Sequence, residues 1–143
     1  MSNPVHLEKI LYTASASATN REGRVTSSDG NLDVALSLPK GLGGPGGSGT
    51  NPEQLFAGGY AACFGSALAF VAKSKNIKTG PVRIAATVNI GPAGQGFGLS
   101  AELVAEIPEL PRDQAEALLQ AAHQVCPYSN ATRGNIEVTI RLA

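Results

Sequence analysis

The sequence lacks an excess of charge of either sign, and it has few charged residues of any kind. Lys plus Arg and Asp plus Glu number 11 each, so the formal net charge is zero. Charged residues make up 15% of the chain, against about 25% in a typical globular domain. Because no field of one sign would attract a polyanion or an anionic lipid surface, we expect neither a nucleic-acid partner nor a membrane partner.

The chain also lacks a signal-peptide pattern. Its first twenty residues include Glu8 and Lys9 and contain no apolar run of the length that such a peptide requires. We therefore expect a cytoplasmic protein. Cysteine is scarce as well, with only Cys63 and Cys126 present. In a reducing compartment, such a pair is more typical of catalytic or redox chemistry than of a permanent disulfide.

Metal ligands are few. Besides the two cysteines, the candidates are His6 and His123, and the sequence contains neither a CxxC nor an HExxH motif. A structural zinc site needs four nitrogen or sulfur ligands at recognisable spacing. The sequence therefore predicts no metal site, and we expect His123 in the last turn of a helix, at the negative end of the helix dipole.

The run GLGGPGGSGTNPE matches the GxGxxG pattern at residues 41–46 but lacks the other features of a nucleotide site. A dinucleotide site needs a tight strand-to-helix turn and an acidic residue about twenty positions on, and a P-loop needs Gly-Lys-Ser/Thr. Here Asn51 and Pro52 delay the helix, and the segment at the position of that acid is ACFGS. We expect a flexible loop before a helix, and no bound cofactor.

The sequence does contain a strong alternation of apolar and polar residues with the period of a β-strand. This alternation predicts strands at residues 9–19, 32–38, 82–90, 99–107 and 136–142. Asp29-Gly30 and the run GPAGQGFG are hairpin signals between neighbouring strands. The chain of 143 residues fits a single domain, residues 1–143, that buries roughly 70% of the surface of its unfolded chain.

A first helix is predicted from Thr50-Asn51-Pro52-Glu53 onward. Either Thr50 and Glu53 form a capping box, or Asn51 caps a helix that begins at Pro52. Residues 55–72 carry no charge, which is long enough for a membrane span. Their many Gly and Ala residues make them only mildly apolar, which favours a long helix buried at the centre of the fold.

A second helix starts near Pro111 and places one apolar face toward the core, formed by Ala115, Leu118, Leu119, Ala122 and either Val125 or Cys126. Pro127 ends this helix at Cys126, because proline disfavours helical dihedrals at the residue before it. The run of small polar residues after Cys126 predicts a polar loop there. Strands, long helix, hairpin, helix and strand in this order predict an α+β fold built on antiparallel sheets.

The two cysteines are expected to differ in environment. Cys63 lies in the middle of the first helix, where simple packing is the alternative to a working role, since free cysteine is among the most buried residue types. Cys126 lies at a helix C-terminus, where the dipole disfavours a thiolate, and this suits a resolving role. Burial would raise the pKa of Cys63 unless a cation lies nearby, so a working Cys63 thiolate needs an arginine directed at it.

The runs TASASATNREGR, SSDGNLDVALSLP, GTNPEQLFAGGYAACF and AHQVCPYSNATRGNIEV resemble the organic hydroperoxide resistance (Ohr) proteins of the OsmC/Ohr superfamily over nearly the whole chain. The resemblance implies an intertwined homodimer with thiol peroxidase activity toward organic and fatty-acid hydroperoxides. It implies Cys63 as the peroxidatic cysteine and Cys126 as the resolving cysteine, which form a disulfide. It also implies an external dithiol reductant, either a lipoylated protein or dihydrolipoamide.

The resemblance further places the family's catalytic arginine at Arg21 and its glutamate partner at Glu53. The family commonly has Gly-Gly before this arginine, whereas Asn20 alone fills that place here, so Arg24 is a second candidate for the cation. An exposed arginine and a helix-capping glutamate are the alternative interpretation of Arg21 and Glu53. Aromatic residues Phe97 and Tyr128 are candidate walls of a pocket for the hydrocarbon tail, with ordinary packing as their alternative.

Helix geometry adds an oligomeric prediction. Glu53 and Cys63 are ten residues apart on one predicted helix, which separates them by about 15 Å along its axis. If both serve one site, a second copy of the helix must bring Glu53 to Cys63, which predicts a homodimer with two shared sites.

Two other classes of function remain open on the sequence alone. The chain could be an OsmC-type protein that mainly binds a hydrophobic ligand and has weak peroxidase activity. It could instead be a thiol hydrolase acting on esters, for which His123 is the one candidate partner base.

Overall fold

The computed structural model describes residues 4–143, which group into two units. One unit is His6–Leu55, and the other consists mainly of Phe56–Ala143. The described residues form a three-stranded sheet in each unit together with helices, so the predicted α+β class is confirmed.

In the smaller unit, three short strands form an antiparallel sheet in chain order. They are β1 (Ala16–Ser17), β2 (Gly23–Ser27) and β3 (Asp33–Leu36). The loop between β2 and β3 contains the predicted Asp29-Gly30 turn, in which Gly30 has a φ of 79°, a conformation that favours glycine. The predicted turn is therefore confirmed, but the strand before it is β2, which the sequence analysis did not predict.

The strand predicted at residues 9–19 is much shorter in the structure. Only Ala16 and Ser17 pair with β2, while residues 9–15 have no strand partner among the described residues and are exposed. Alternating Ala and Ser side chains bury little apolar surface in either register, so the pattern alone does not hold a long strand in place.

The glycine-rich run folds back onto the chain that follows β3. A short 3-10 turn (Lys40–Leu42) leads to a backbone hydrogen bond of 2.9 Å from the Gly46 N–H to the Leu38 carbonyl. A Cβ atom at Gly44 would lie 2.4 Å from the same carbonyl oxygen. The close approach of two backbone segments therefore accounts for a glycine at this position.

The sheet of the larger unit contains β4 (Arg83–Ala93), β5 (Gly96–Glu106) and β6 (Val138–Leu142) in that order. β4 and β5 form the predicted antiparallel hairpin, with only Gly94 and Gln95 between them. β6 pairs with β5 in parallel, which differs from the antiparallel arrangement predicted for the sheets. Two helices lie between β5 and β6 in the chain and supply the crossover connection that a parallel pair requires.

The first predicted helix is α1 (Pro52–Ser74). The side-chain oxygen of Asn51 accepts a hydrogen bond of 2.8 Å from the Gln54 backbone N–H, and Pro52 is the first helical residue. Asn51 is therefore the cap, and Glu53 is left free for another partner. By length and composition α1 could also cross a membrane, a test that core helices of soluble proteins meet as well.

Two opposite sides of α1 differ in their exposure to solvent. One face is buried, and it consists of Tyr60, Phe64, Ala67, Leu68, Val71 and Ala72. The other face is exposed in this chain and consists of small residues and one aromatic residue, Gly58, Ala62, Ser66, Ala69 and Phe70. The helix is thus part of the core on one side, while its second side is left uncovered by residues 4–143.

The helices that follow β5 are α2 (Arg112–Val125) and α3 (Pro127–Thr132). The buried residues of α2 are the ones that the sequence predicts, Ala115, Leu118, Leu119 and Ala122. They pack with the buried face of α1, with Leu103 and Ala105 of β5, and with Cys126 in one hydrophobic core. Val125 is exposed, so Cys126 continues the apolar face of α2.

Candidate functional site

The structure brings the two cysteines together. Cys63 lies in the middle of α1 and Cys126 follows the last residue of α2, and their sulfur atoms are 3.7 Å apart. Both are free thiols. Because a disulfide has a sulfur–sulfur distance of about 2.05 Å, only a small approach separates this pair from a covalent bond.

The backbone conformation of Cys126 explains its position at the end of α2. Its φ and ψ are −61° and 123°, an extended conformation, while its N–H still donates to the Ala122 carbonyl. Pro127 imposes this conformation, because a proline disfavours the helical region for the residue before it. The predicted end of the second helix at Cys126 is therefore confirmed.

The segment after Cys126 is a helix, and the prediction of a polar loop there is wrong. α3 begins at Pro127 as its first helical residue, a position that proline favours because no N–H is needed there. The backbone N–H of Tyr128, in the first turn of α3, lies near enough to the Cys63 thiol to lower its pKa. The residues behind Cys126 thus form one wall of the thiol site.

The two thiols differ in access. Cys126 is fully buried, with 0% of its surface exposed, whereas Cys63 is partly exposed. A molecule arriving from solvent therefore meets Cys63 first. The buried Cys126 has the Cys63 sulfur 3.7 Å away, an arrangement that suits a second thiol that reacts after the first.

Loss of the proton from the Cys63 thiol is disfavoured at neutral pH within a single chain. Burial raises the pKa of this thiol, the N–H of Tyr128 lowers it, and the nearby Cys126 sulfur raises it again. The overall direction is upward. This agrees with the expectation that a positive charge must be supplied to Cys63 if it is to work as a thiolate.

Tyr128 belongs to an aromatic cluster on the same side of α1. Its ring centroid lies 6.1 Å from that of Phe56 and 5.7 Å from that of Tyr60. The cluster borders a mainly apolar cavity of about 560 Å³, which is lined by Phe56, Leu99, Pro127, Tyr128, Ala131, Thr132, Asn135 and Ile136. Of the two predicted pocket residues, the structure places Tyr128 in a cavity wall.

Phe97 is placed elsewhere. It stands near the start of β5, opposite Pro92 in the hairpin, and 76% of its surface is exposed. Leu99, two residues further along β5, lines the cavity instead. Within one chain, the prediction that Phe97 forms a pocket wall has no support.

Arg21 and Glu53 form a bidentate ion pair in the smaller unit. Arg21 donates from both terminal nitrogens to the two carboxylate oxygens of Glu53, at 2.8 and 2.6 Å. The pairing raises the pKa of Arg21 and lowers the pKa of Glu53, although partial burial opposes both shifts. Because two parallel bonds fix the guanidinium plane, Glu53 sets the direction in which Arg21 points.

The other candidate cation is engaged differently. Arg24 lies on β2 and donates to the side chain of Asp33 on β3, where both side chains are largely exposed. Of the two arginines, only Arg21 has Glu53 as its partner. Among the described residues, no three His, Cys, Asp or Glu side chains are grouped so that they could hold a metal ion.

Some residues around the thiols were not predicted. Phe56, Leu99 and Ile136 line the cavity, and Ser129 and Thr132 are buried next to Tyr60. A helical interpretation of PYSNAT would have placed Ser129 and Thr132 on one face, since they are three residues apart. The polar composition of this segment hid that signal.

Comparison with known proteins gives a consistent result. A family model described as OsmC-like protein matches residues 44–141. The organic hydroperoxide resistance protein of Xanthomonas axonopodis pv. citri (strain 306) is 56% identical over 138 residues, covering 95% of this chain and 97% of that protein.

Two crystal structures are similar over almost the whole chain. An organic hydroperoxide resistance protein from Legionella pneumophila has a TM-score of 0.91 at 47% identity, covering 94% of this chain and 99% of that one. One from Elizabethkingia anophelis has a TM-score of 0.90 at 52% identity, covering 94% of this chain and 98% of that one.

Proposed function

This chain belongs to the organic hydroperoxide resistance (Ohr) proteins of the OsmC family, and we propose that it is a thiol-dependent peroxidase that reduces organic hydroperoxides to alcohols. The observation that supports this function most directly is the pair of thiols, 3.7 Å apart, of which one is partly exposed and the other fully buried. A buried packing cysteine needs no such partner.

In the first step, the Cys63 thiolate attacks the terminal oxygen of the hydroperoxide ROOH. The O–O bond breaks, the sulfur becomes a sulfenic acid, and the alkoxide takes up a proton to leave as ROH. Arg21 favours the thiolate by its positive charge and stabilises the oxyanion that leaves. Glu53 orients Arg21 through the bidentate pair.

In the second step, Cys126 attacks the sulfenic sulfur of Cys63. A disulfide forms and the sulfenic oxygen leaves as water, so the protein has given two electrons to the peroxide. An external dithiol, dihydrolipoamide or a lipoylated protein, then reduces the disulfide by exchange. We propose this class of reductant and, as the compartment, the reducing cytoplasm.

The catalytic unit is a homodimer in this proposal. α1 carries both Glu53 and Cys63, and ten residues of helix separate them by about 15 Å along the axis. Glu53 would then serve the Cys63 of a second copy. The exposed stripe of small residues on α1, which ends at Phe70, supports a second copy as its cover, because small side chains let helices pack closely and large exposed aromatics mark contact surfaces.

The apolar cavity supports the proposal that the protein prefers organic over inorganic peroxide. Burying the tail of an alkyl or fatty-acyl hydroperoxide contributes about 0.8 kcal/mol per CH₂ group, and hydrogen peroxide has no tail to bury. Tyr128 both lines the cavity and supplies the N–H that faces Cys63. A tail held against Tyr128 would therefore lie beside the reacting sulfur.

Single-turnover kinetics with cumene hydroperoxide test this function. The wild type, Cys63→Ser and Cys126→Ser are mixed with the hydroperoxide, and dihydrolipoamide is then added to measure turnover. We expect Cys63→Ser to consume no peroxide, and Cys126→Ser to consume one equivalent and then stop. Equal, partial activity in both variants would contradict the assigned roles.

The cavity also favours a second candidate function, in which the protein mainly binds a hydrophobic ligand and has weak peroxidase activity. The same experiment separates the two functions. Loss of two thiols per chain after peroxide is added, without any link between chains, would identify the peroxidase. If the wild type binds a fatty acid tightly and keeps both thiols after peroxide is added, the protein mainly binds a hydrophobic ligand.

A further inference from the structure

A small network of buried hydroxyl groups connects α1 to α3. The hydroxyl of Tyr60 lies 2.8 Å from the Ser129 hydroxyl and 3.2 Å from the Thr132 hydroxyl. Thr132 also donates to the backbone carbonyl of Ser129 at 3.3 Å. Tyr60 and Ser129 have no exposed surface, and Thr132 is 5% exposed.

These hydroxyls have one another as partners in place of water. A polar group in an apolar core is costly unless it is hydrogen-bonded, so the three groups must keep this arrangement to stay satisfied. A fully satisfied buried network fixes one geometry, since any displacement leaves a donor or acceptor without a partner. The network therefore acts as a rigid connection between two helices.

The connection joins the two chain segments that carry the reacting sulfurs. Tyr60 precedes Cys63 by three residues, so both lie on adjacent turns of one face of α1. Ser129 follows Cys126 by three residues, at the first turn of α3. Holding α3 against α1 through these hydroxyls holds the backbone of Cys126 at its distance from Cys63.

A fixed distance matters most for the formation of the disulfide. The sulfurs must close from 3.7 Å to about 2.05 Å, and the buried Cys126 must reach the oxidised sulfur of Cys63 before a second peroxide does. Reactions between groups held in position have very high effective concentrations, which fall quickly when the position is lost. A sulfenic acid that waits for its partner is exposed to further oxidation to sulfinic acid.

We propose that Tyr60, Ser129 and Thr132 are positioning residues for the second half-reaction, in which Cys126 attacks the Cys63 sulfenic acid with loss of water. This inference rests on the proposed peroxidase function and assigns a separate set of residues to its resolving step. The attack of Cys63 on the hydroperoxide does not depend on the network, because the peroxide reaches Cys63 from the exposed side.

Rapid mixing with cumene hydroperoxide measures the two steps separately in the full-length protein. Loss of hydroperoxide reports the first step, loss of the second free thiol of each chain reports disulfide formation, and mass spectrometry reports sulfinic acid after an excess of hydroperoxide. The variants are Tyr60→Phe and Ser129→Ala, which remove hydroxyls and keep most of the packing; Thr132 is left unchanged because it also lines the cavity. Tyr12→Phe, on an exposed tyrosine, and Ser74→Ala, at the far end of α1, are the matched controls.

We expect Tyr60→Phe to leave the first step within about two-fold of the wild type and to slow disulfide formation about ten-fold, a barrier change of about 1.4 kcal/mol. Ser129→Ala leaves Tyr60 with Thr132 as a partner, so its effect should be smaller. Sulfinic acid should accumulate in both variants and remain at the wild-type level in both controls.

Unchanged disulfide formation in both network variants would overturn the inference. Equal slowing of both steps would overturn it as well, because the network would then support the site as a whole. A loss of stability alone would lower the melting temperature without changing the ratio of sulfinic acid to disulfide. Failure of the proposed function looks different, since the wild type itself would then consume no hydroperoxide.

Discussion

Replacing Gly59 by alanine measures how closely α3 lies against α1. A Cβ atom at Gly59 would lie 2.8 Å from the Tyr128 Oη atom and 3.2 Å from its Cε2 atom, so the ring would have to move. Its edge-to-face contact with Phe56 and its tilted contact with Tyr60 would both be disturbed. Each such aromatic pair contributes about 0.5–1.5 kcal/mol, so we expect the contacts to weaken by about 1–3 kcal/mol.

The same substitution has a favourable effect that a control must remove. Alanine is better than glycine inside a helix by about 0.5–1 kcal/mol. Gly65 lies on the same helix, and a Cβ atom there would be 3.5 Å from the Cγ1 atom of Ile84, an ordinary van der Waals contact. We expect Gly65→Ala to gain the helical contribution, and Gly59→Ala to be less stable than Gly65→Ala by about 1–3 kcal/mol.

Urea denaturation of the reduced proteins at one protein concentration gives the two free energies of unfolding, and equal slopes show that the variants are comparable. Gly59→Ala should also slow peroxide consumption, because Tyr128 supplies the N–H that faces Cys63. If Gly59→Ala and Gly65→Ala have the same free energy of unfolding, α3 does not pack against α1 as described.

The helices that the sequence predicted best are those whose apolar residues repeat with a clear period. In α2, the predicted core positions are the buried ones, because the face that the periodicity marks is the face that packs against the core. The predicted strand at residues 9–19 failed for the opposite reason. Its small side chains alternate without offering enough apolar surface to hold a partner strand.

α3 could not be predicted from composition. Ser129 and Thr132 are polar and lie in a run of turn-forming residues, yet they are buried and face the Tyr60 hydroxyl. Pattern rules assign polar residues to the surface, whereas here a tyrosine 69 positions earlier in the chain satisfies Ser129. A contact of this kind exists only after the chain has folded.

In the candidate site, too, some features follow from the local sequence and others only from the folded chain. Local rules predicted the end of α2 at Cys126, because the effect of Pro127 acts on its nearest neighbour. The approach of Cys126 to Cys63 across 63 positions, and of Arg21 to Glu53 across 32, follows no local rule. The family resemblance named both pairs; the structure places the members of each pair in contact, and their chemical roles stay predictions.

Two further predictions concern the arginine pair. Arg21→Ala should slow the attack of Cys63 on cumene hydroperoxide by about 10–100-fold in stopped-flow measurements, because the thiolate would lose the positive charge that the proposed mechanism supplies. Arg24→Ala should leave this step unchanged, since Arg24 is exposed and paired with Asp33, and an equal effect of both substitutions would contradict the assignment of Arg21. Glu53→Gln should remove part of the dependence of stability on pH. The pKa of Glu53 is lowered in the folded state, so the pair contributes stability above the unfolded pKa of about 4.3, and this contribution is lost as the pH falls through the folded pKa. Because the Arg21 side chain is 36% exposed, solvent screens the pair, and we expect a contribution of about 1–2 kcal/mol near neutral pH. Urea denaturation between pH 3 and pH 7 covers a window from about 1.3 units below the unfolded pKa to about 2.7 units above it. Stability should fall more steeply in acid for the wild type than for Glu53→Gln, and parallel curves would show that the bidentate pair does not form in solution.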